Sequence, residues 1–262
     1  LDGIKLEKVD RFIEGMKDAS AAPIFNECRQ WLLDNLDRFD NLTKEDVESI
    51  SPEICNCATL STLHGCPPQE IERIASYLLT EKKVHTFIKC NPTLLGYEYA
   101  RKLMDDMGYD YVAFGDFHFR DDLQYTDAVP MLQRLQKLAD EKGLEFGVKI
   151  TNTFPVDVKQ NELPSEEMYM SGKSLYALSM SVAQKLAKDF DGKLRISYSG
   201  GADYFNITKI VDAGIWPVTM ATTMLKPGGY ERLEQIGQLF KAKEAAAFAG
   251  VSAEKVEAMV EA

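Results

Sequence analysis

Apolar residues recur along the first fifty positions at helical spacing. Val9, Phe12, Ile13 and Met16 form one stripe, and Ile24, Cys28, Trp31, Leu32 and Leu36 form a second. Ala21-Ala22-Pro23 separates the two, and Pro23 is suited to open the second helix. Thr43, ahead of Glu45 and Asp46, reads as the cap of a third, short helix ending near Ser51-Pro52. From residue 55 the rhythm changes. Short β-branched and aromatic runs at 55–60, 86–89, 111–114, 145–150, 195–198 and 217–222 read as strands. Helical stripes alternate with them from about 68, and at 97–107, 128–142, 174–190 and 207–213. Gly108 and Gly143 close two of these helices. Residues 154–171 read as a polar loop broken by Pro155 and Pro164, and helices at 230–249 and 253–262 end the chain.

Strand and helix in strict alternation predict a parallel sheet with right-handed crossovers. A doubly wound sheet and a barrel both fit that order. The barrel is favoured because polar or Gly-rich tips recur at strand after strand, and in a barrel all such tips face one site. About six strands are visible, two short of a closed eight. The expected fold is therefore an α/β TIM barrel incomplete at its N-terminus. Helices over 1–54 pack on it, the barrel portion spans 55–230, and C-terminal helices fill 231–262. The opening Leu1-Asp-Gly-Ile-Lys5 reads like mid-sequence, which predicts a piece of a longer chain.

Composition narrows the function. The 262 residues carry a net charge of −11, which argues against sequence-independent nucleic-acid binding. No apolar run reaches the roughly 18 residues that would span a membrane, and the start has no signal-peptide pattern. Five cysteines, an odd number, do not suggest a disulfide framework, so a reducing cytoplasmic compartment is expected. Cys55, Cys57 and Cys66 match no common zinc or cluster spacing, so no metal is expected. Cys55 and Cys57 are read as buried core residues.

The chemistry gathers at the strand tips. Ser199-Gly200-Gly201 lets the backbone turn sharply and frees N–H groups for an anion, with Asp203 and Asn206 as caps of the next helix. Thr222 and Thr223 end the following strand, so two neighbouring tips offer a phosphate grip. Cys66 sits just ahead of a helix N-terminus, which lowers a thiol pKa and suits proton transfer; from the residues alone, a small buried Cys beside Pro67-Pro68 is the favoured reading. Lys89 ends an apolar strand and leads into Asn91, and Lys149 does the same before Thr151-Asn152-Thr153. Either amine could neutralise an anion or merely snorkel to the rim. His118 is read as structural.

The wording Thr59-Leu-Ser-Thr-Leu-His-Gly-Cys-Pro-Pro68, Lys89-Cys-Asn-Pro-Thr-Leu-Leu-Gly-Tyr97, Met168-Tyr-Met-Ser-Gly172, Ile196-Ser-Tyr-Ser-Gly-Gly-Ala202 and Met220-Ala-Thr222 through Leu225-Lys-Pro-Gly-Gly-Tyr230 resembles a known family. It is the FMN barrel of the dihydroorotate and dihydropyrimidine dehydrogenases, in the form found in large flavin and iron–sulfur oxidoreductases of the selenate reductase type. The resemblance implies FMN at the C-terminal face of the barrel. It implies Cys66 as the proton-exchanging residue and Lys89 at the flavin, with Asn91 on the same Lys-x-x-Pro tip. Asn152 and Thr153 would reach flavin and substrate, with Gly115-Asp116 as rival for that tip. Ser199, Gly200, Gly201, Thr222 and Thr223 would hold the phosphate. The dehydrogenases carry an Asn three residues before the Cys, where this chain has Leu63, and a long loop after Cys-Pro that is absent here. The larger proteins add FAD, NADPH and iron–sulfur clusters on other domains or subunits, which would deliver electrons for a small-molecule substrate. Two alternatives stay open: a non-catalytic barrel module, and a phosphate-binding lyase using Lys89 or Lys149 as a Schiff-base amine.

Overall fold

The computed structural model describes residues 1–61, 65–243 and 247–262, so Leu63 and His64 lie outside the described residues. The strands among them are β1 (Cys57–Ser61), β2 (His85–Cys90), β3 (Phe146–Ile150), β4 (Phe154–Asp157), β5 (Glu167–Met170) and β6 (Arg195–Tyr198). The helices are α1 (Glu7–Lys17), α2 (Pro23–Asp34), α3 (Lys44–Glu48), α4 (Pro68–Tyr77), α5 (Tyr97–Asp106) and α6 (Phe117–Asp121). They continue with α7 (Tyr125–Lys142), α8 (Tyr176–Asp189), α9 (Ile207–Asp212), α10 (Thr222–Leu225), α11 (Gly229–Phe240) and α12 (Ala253–Glu261). Thr43 caps α3 as its sequence predicts: its hydroxyl accepts from Asp46 N–H at 3.1 Å, and Asp46 accepts in return from Thr43 N–H at 2.8 Å. Gly143, at φ +66°, ends α7.

β1, β2, β3 and β6 pair in parallel in that order, and a parallel bridge from Tyr198 to Val218 extends the wall. The order never reverses, as it would at the switch point of a doubly wound sheet. The register puts Leu60, Ile88, Val148 and Ile196 side by side. Of these, Ile88, Val148 and Ile196 are buried in one core with Leu132 and Leu135 of α7 and Leu178 and Val182 of α8. Strand residues alternate between faces. The next row, Ser61, Lys89, Lys149 and Ser197, therefore faces away from the helices, toward the barrel interior. Below it lie Thr59, Phe87, Gly147 and Arg195. A Cβ on Gly147 would stand 2.4 Å from Arg195 O and 2.7 Å from the Phe87 ring, so only glycine fits between them.

Three expected elements of the barrel portion need correction. Residues 111–114 form no strand: β2 pairs directly with β3, and the stretch loops off the wall. Its carbonyls serve other partners, Arg101 donating to Val112 O at 2.6 Å and Asp157 N–H to Ala113 O at 2.8 Å. Phe114 is instead one of an aromatic cluster with Tyr97, Phe119 and Phe154. Residues 154–171 are not one loop, because β4 and β5 form an antiparallel hairpin. Phe154 and Val156 are buried, and Met168 and Met170 pack against the core; the prolines and acidic residues between hid this alternation. Residues 217–222 contribute only the bridge at Val218, and Thr222 already begins α10.

The N-terminal helices form at the predicted places but bury little. No residue of α1 or α2 is buried, and Phe12, Ile24 and Trp31 are exposed. Helix α1 is tied to the turn that leads into β2 through Lys82, which pairs with Asp10 and, at 2.9 Å, with Glu14. Hydrogen bonds from Lys82 and, at its other oxygen, from Lys17 hold the Glu14 carboxyl below the usual range. Helix α11 stops at Phe240, short of the predicted 249. Cys57 is exposed and Cys55 half-buried, so neither is a core residue.

Ile88→Ala should lower stability by about 2–5 kcal/mol, because it opens a cavity between wall and helices. Phe12→Ala, on an exposed side chain, should change it by no more than about 0.5 kcal/mol. Urea unfolding of the two variants checks both.

Candidate functional site

At the tip of β6 the chain turns through Ser199, Gly200 and Gly201. Thr151 N–H donates to Ser199 O at 2.7 Å, and Ser199 N–H donates back to Ile150 O, which locks this tip to that of β3. The Tyr198 hydroxyl, fully buried, donates to Gly200 O at 2.6 Å. A Cβ on Gly200 would stand 2.2 Å from Ser179 Oγ, which shares a 2.8 Å hydrogen bond with Thr151 Oγ1. Gly201 has φ +77°, and a Cβ there would stand 2.5 Å from Gly172 O. Both positions thus demand glycine. Asp203 and Asn206 do not cap α9 through their side chains, as expected from sequence. They brace the corner instead. Asn206 accepts from Asp203 N–H at 2.8 Å and donates to Gly201 O at 3.0 Å, while Asp203 accepts from Phe205 N–H.

A cavity of about 220 Å³ opens at this corner. Lys89, Thr153, Ser199, Gly200, Gly201, Thr222 and Thr223 all line it, as their positions at strand tips predict. Its lining contains one lysine and no carboxylate, in a chain of net charge −11. Among the described residues, the backbone N–H groups of Gly200, Gly201 and Ala202 have no hydrogen-bond acceptor. Buried N–H groups are almost always paired, and here Gly200 and Ala202 are buried. The N–H groups of Thr222 and Thr223, in the first turn of α10, likewise have none. Five donors around a cavity without acidic lining form an anion cradle.

Lys89 also borders a narrow crevice of about 20 Å³ with Cys66 and Asn91. Asn152 is held here, donating from its side chain to Asn91 Oδ1 at 2.6 Å and from its backbone to Cys90 O at 2.9 Å. The rival tip, Gly115-Asp116, is exposed, and Asp116 pairs with Arg120. Burial pushes the Cys66 thiol up, which reverses the direction expected from its place before α4. On the wall below, burial and the neighbouring Lys89 push the Lys149 amine down.

Sequence reasoning missed two supports. Ser179 lies inside the apolar run of α8, and its hydroxyl props up the corner from beneath. A serine among buried apolar neighbours was the available signal. Asp122, buried at 5% exposure, accepts from Asn91 Nδ2 at 3.0 Å, Thr93 Oγ1 at 2.7 Å and Gly65 N–H at 3.2 Å. It therefore joins the Lys89 tip to the Cys66 tip, and nothing in the surrounding Arg120-Asp121-Asp122 announced it. A larger groove, about 540 Å³, lies against α4 and away from the strand tips. Two of its charges are already spent, Arg73 on Glu70 and Glu72 on Arg134.

A family model described as "Oxidoreductase YgfK, N-terminal TIM-barrel domain" matches residues 1–262. The chain belongs to this family. It is 47% identical over 244 residues to "Putative oxidoreductase YgfK" of Escherichia coli strain K12, and equally to that of Escherichia coli O157:H7. The match covers 89% of this chain and 24% of each relative, so the chain spans about a quarter of the length of those curated proteins. Two solved structures of DHODH from Eimeria tenella are similar in part. The complex with ferulenol has a TM-score of 0.43 at 16% identity, over 83% of this chain and 61% of that one. The ligand-free form has a TM-score of 0.33 at 16% identity, over 67% and 55%. By the family model, the chain is the TIM-barrel domain of an oxidoreductase family. Among the described residues, no helix is long and apolar enough to cross a membrane.

Asp122→Ala should lower stability by about 1–3 kcal/mol for each buried donor left unpaired, and Asp122→Asn by less. Denaturant unfolding of both variants measures the difference.

Proposed function

We propose that this domain binds FMN by its phosphate and serves as the hydride-exchanging barrel of a larger electron-transferring oxidoreductase. The unpaired N–H groups of Gly200, Gly201 and Ala202, residues that line a cavity with no carboxylate, carry this reading. Helix starts and glycine corners of this kind suit a phosphate dianion. Thr222 and Thr223 would close the grip from the other side. Lys89, which lines the same cavity, would meet the flavin ring and stabilise negative charge on it. Asn152 and Thr153, with Asn91, would supply hydrogen bonds to ring and substrate.

FMN, when bound, supplies the acceptor and donor of two electrons. The chain's own residues hold it, and one of them moves a proton. Cys66, whose thiol burial pushes up and which lines the same narrow crevice as Lys89, is the proton donor to a small unsaturated or heterocyclic substrate. In this reading residues 55–230 carry the site, flanked by the helices of 1–54 and 231–262. FAD, NADPH and iron–sulfur centres belong to the rest of the longer polypeptide or its partners, as in oxidoreductases of the selenate reductase type.

Fluorescence titration of the full-length polypeptide with FMN tests the grip. Wild type should take up FMN and bind riboflavin, which lacks the phosphate, far more weakly; Gly201→Val should raise the FMN dissociation constant at least about tenfold. A wild-type protein that takes up no FMN overturns the reading. Cys66→Ala should slow substrate proton exchange by about 10²–10⁴-fold while sparing flavin reduction. Loss of both in that variant would contradict the role given to Cys66.

A further inference from the structure

Helix α6 follows α5 and precedes α7 with no strand on either side, so it stands outside the strand–helix alternation. Its end nevertheless reaches two strand tips. Asp122, which closes the helix, accepts from Gly65 N–H through Oδ1 and from Asn91 and Thr93 through Oδ2. Asp121 bears on the same glycine. Gly65 has φ +75°, and a Cβ there would stand 2.4 Å from Asp121 Oδ2. Two consecutive carboxylates thus hold the residue that directly precedes Cys66.

The grip is braced from behind. Gln124 Nε2 donates to Asp122 O at 2.6 Å and to Phe119 O at 2.7 Å. The Phe119 ring is buried, 5.6 Å from Tyr97 and 5.7 Å from Phe154. Phe154 directly follows Thr153, which lines the cavity at the β6 corner. Helix α6 is therefore anchored at a third tip while its end holds the other two.

A buried carboxylate with hydrogen-bond donors around it stabilises a fold wherever it sits. This one is placed more narrowly. Gly65 adjoins Cys66, and Asn91 and Thr93 lie on the tip that Lys89 begins. Asp122 and Cys66 also line one crevice of about 20 Å³. Glycine restrains its own backbone least. Released from the carboxylates, the Cys66 tip would turn about Gly65 and carry the thiol with it. Proton transfer needs its heavy atoms about 2.6–3.2 Å apart, and a misplacement of about 1 Å can cost roughly 10²-fold.

We propose that Asp122 is the positioning residue of Cys66. By holding Gly65 N–H it fixes the thiol against the Lys89 tip, where the proton is passed. The inference rests on the proton-donor role given to Cys66 above, but the grip itself can be measured without FMN or substrate.

The test follows alkylation by iodoacetamide at each cysteine of the full-length polypeptide, resolved by mass spectrometry. Cys90, buried on β2 and lining the same crevice, reports opening of the whole fold. In an unfolded chain the two thiols react alike, so general loosening adds equally to both rates. Asp122→Ala should speed Cys66 at least about tenfold, with a gain at least about tenfold larger than that at Cys90. Asp122→Asn still offers Gly65 an acceptor, so its gain at Cys66 should be at least about threefold smaller than that of Asp122→Ala. Gly65→Ala keeps both carboxylates and pushes the tip off Asp121, so it too should speed Cys66 at least about tenfold. A Cys66 rate within about twofold of wild type in either folded variant, Asp122→Ala or Gly65→Ala, overturns the proposal. So do equal gains at Cys66 and Cys90, or equal gains in Asp122→Asn and Asp122→Ala. Asp122-dependent protection of Cys66 in a polypeptide that takes up no FMN sinks the FMN reading and leaves the grip standing. FMN uptake by a polypeptide whose Cys66 is indifferent to Asp122 does the reverse.

Discussion

The in-register pairing of four parallel strands is the constraint on which the rest depends. It sorts residues by parity alone. Ile88, Val148 and Ile196 meet the helices, so Lys89, Lys149 and Ser197 must face the interior. A slip of one residue would drive two lysines into the apolar core and turn isoleucines inward. The cost of burying an unpaired charge is several kcal/mol, so the lysines help fix the register that presents them. The helices supply the driving force, and the polar row supplies the discrimination.

The same parity carries the tips. Cys90, Ile150 and Tyr198 share a row on the helix side, and all three are buried. With those anchors fixed, the next residues have little choice. Thr151 and Ser199 exchange backbone contacts, Ser179 fills the space beneath, and Gly200 is left with room for no side chain. The unpaired N–H groups are thus imposed from behind by packing. They do not depend on the ligand for their orientation, which is what preorganisation requires.

Much of this was legible in the sequence, for identifiable reasons. The wall strands are short β-branched runs, and the helices carry clear stripes with glycine stops, so their order gave the barrel. Lys89, Thr153, Ser199, Gly200, Gly201, Thr222 and Thr223 converge because strand tips converge. The errors have causes of their own. The aromatic run at 111–114 looks like a strand, but its partners are Arg101 and neighbouring rings, a choice set by tertiary contacts. The β4–β5 hairpin hides behind Pro155 and a polar connection. The direction at Cys66 was misjudged because local reasoning saw the helix start and could not see the burial. Asp122 was invisible because its partners Asn91, Thr93 and Gly65 lie 29 to 57 positions away.

The acid-rich composition around a basic, carboxylate-free cavity has a kinetic consequence. At physiological ionic strength a surface charge is felt over roughly 8 Å. Beyond that range an incoming anion meets the average field of a chain with net charge −11, and is repelled. Only at the mouth does the local positive potential take over. Association of small anions with this domain should therefore quicken as salt is added, up to the point where the mouth itself is screened. An anion seated in this cavity would be held locally but gathered poorly, an arrangement suited to a ligand handed over at short range rather than captured from dilute solution.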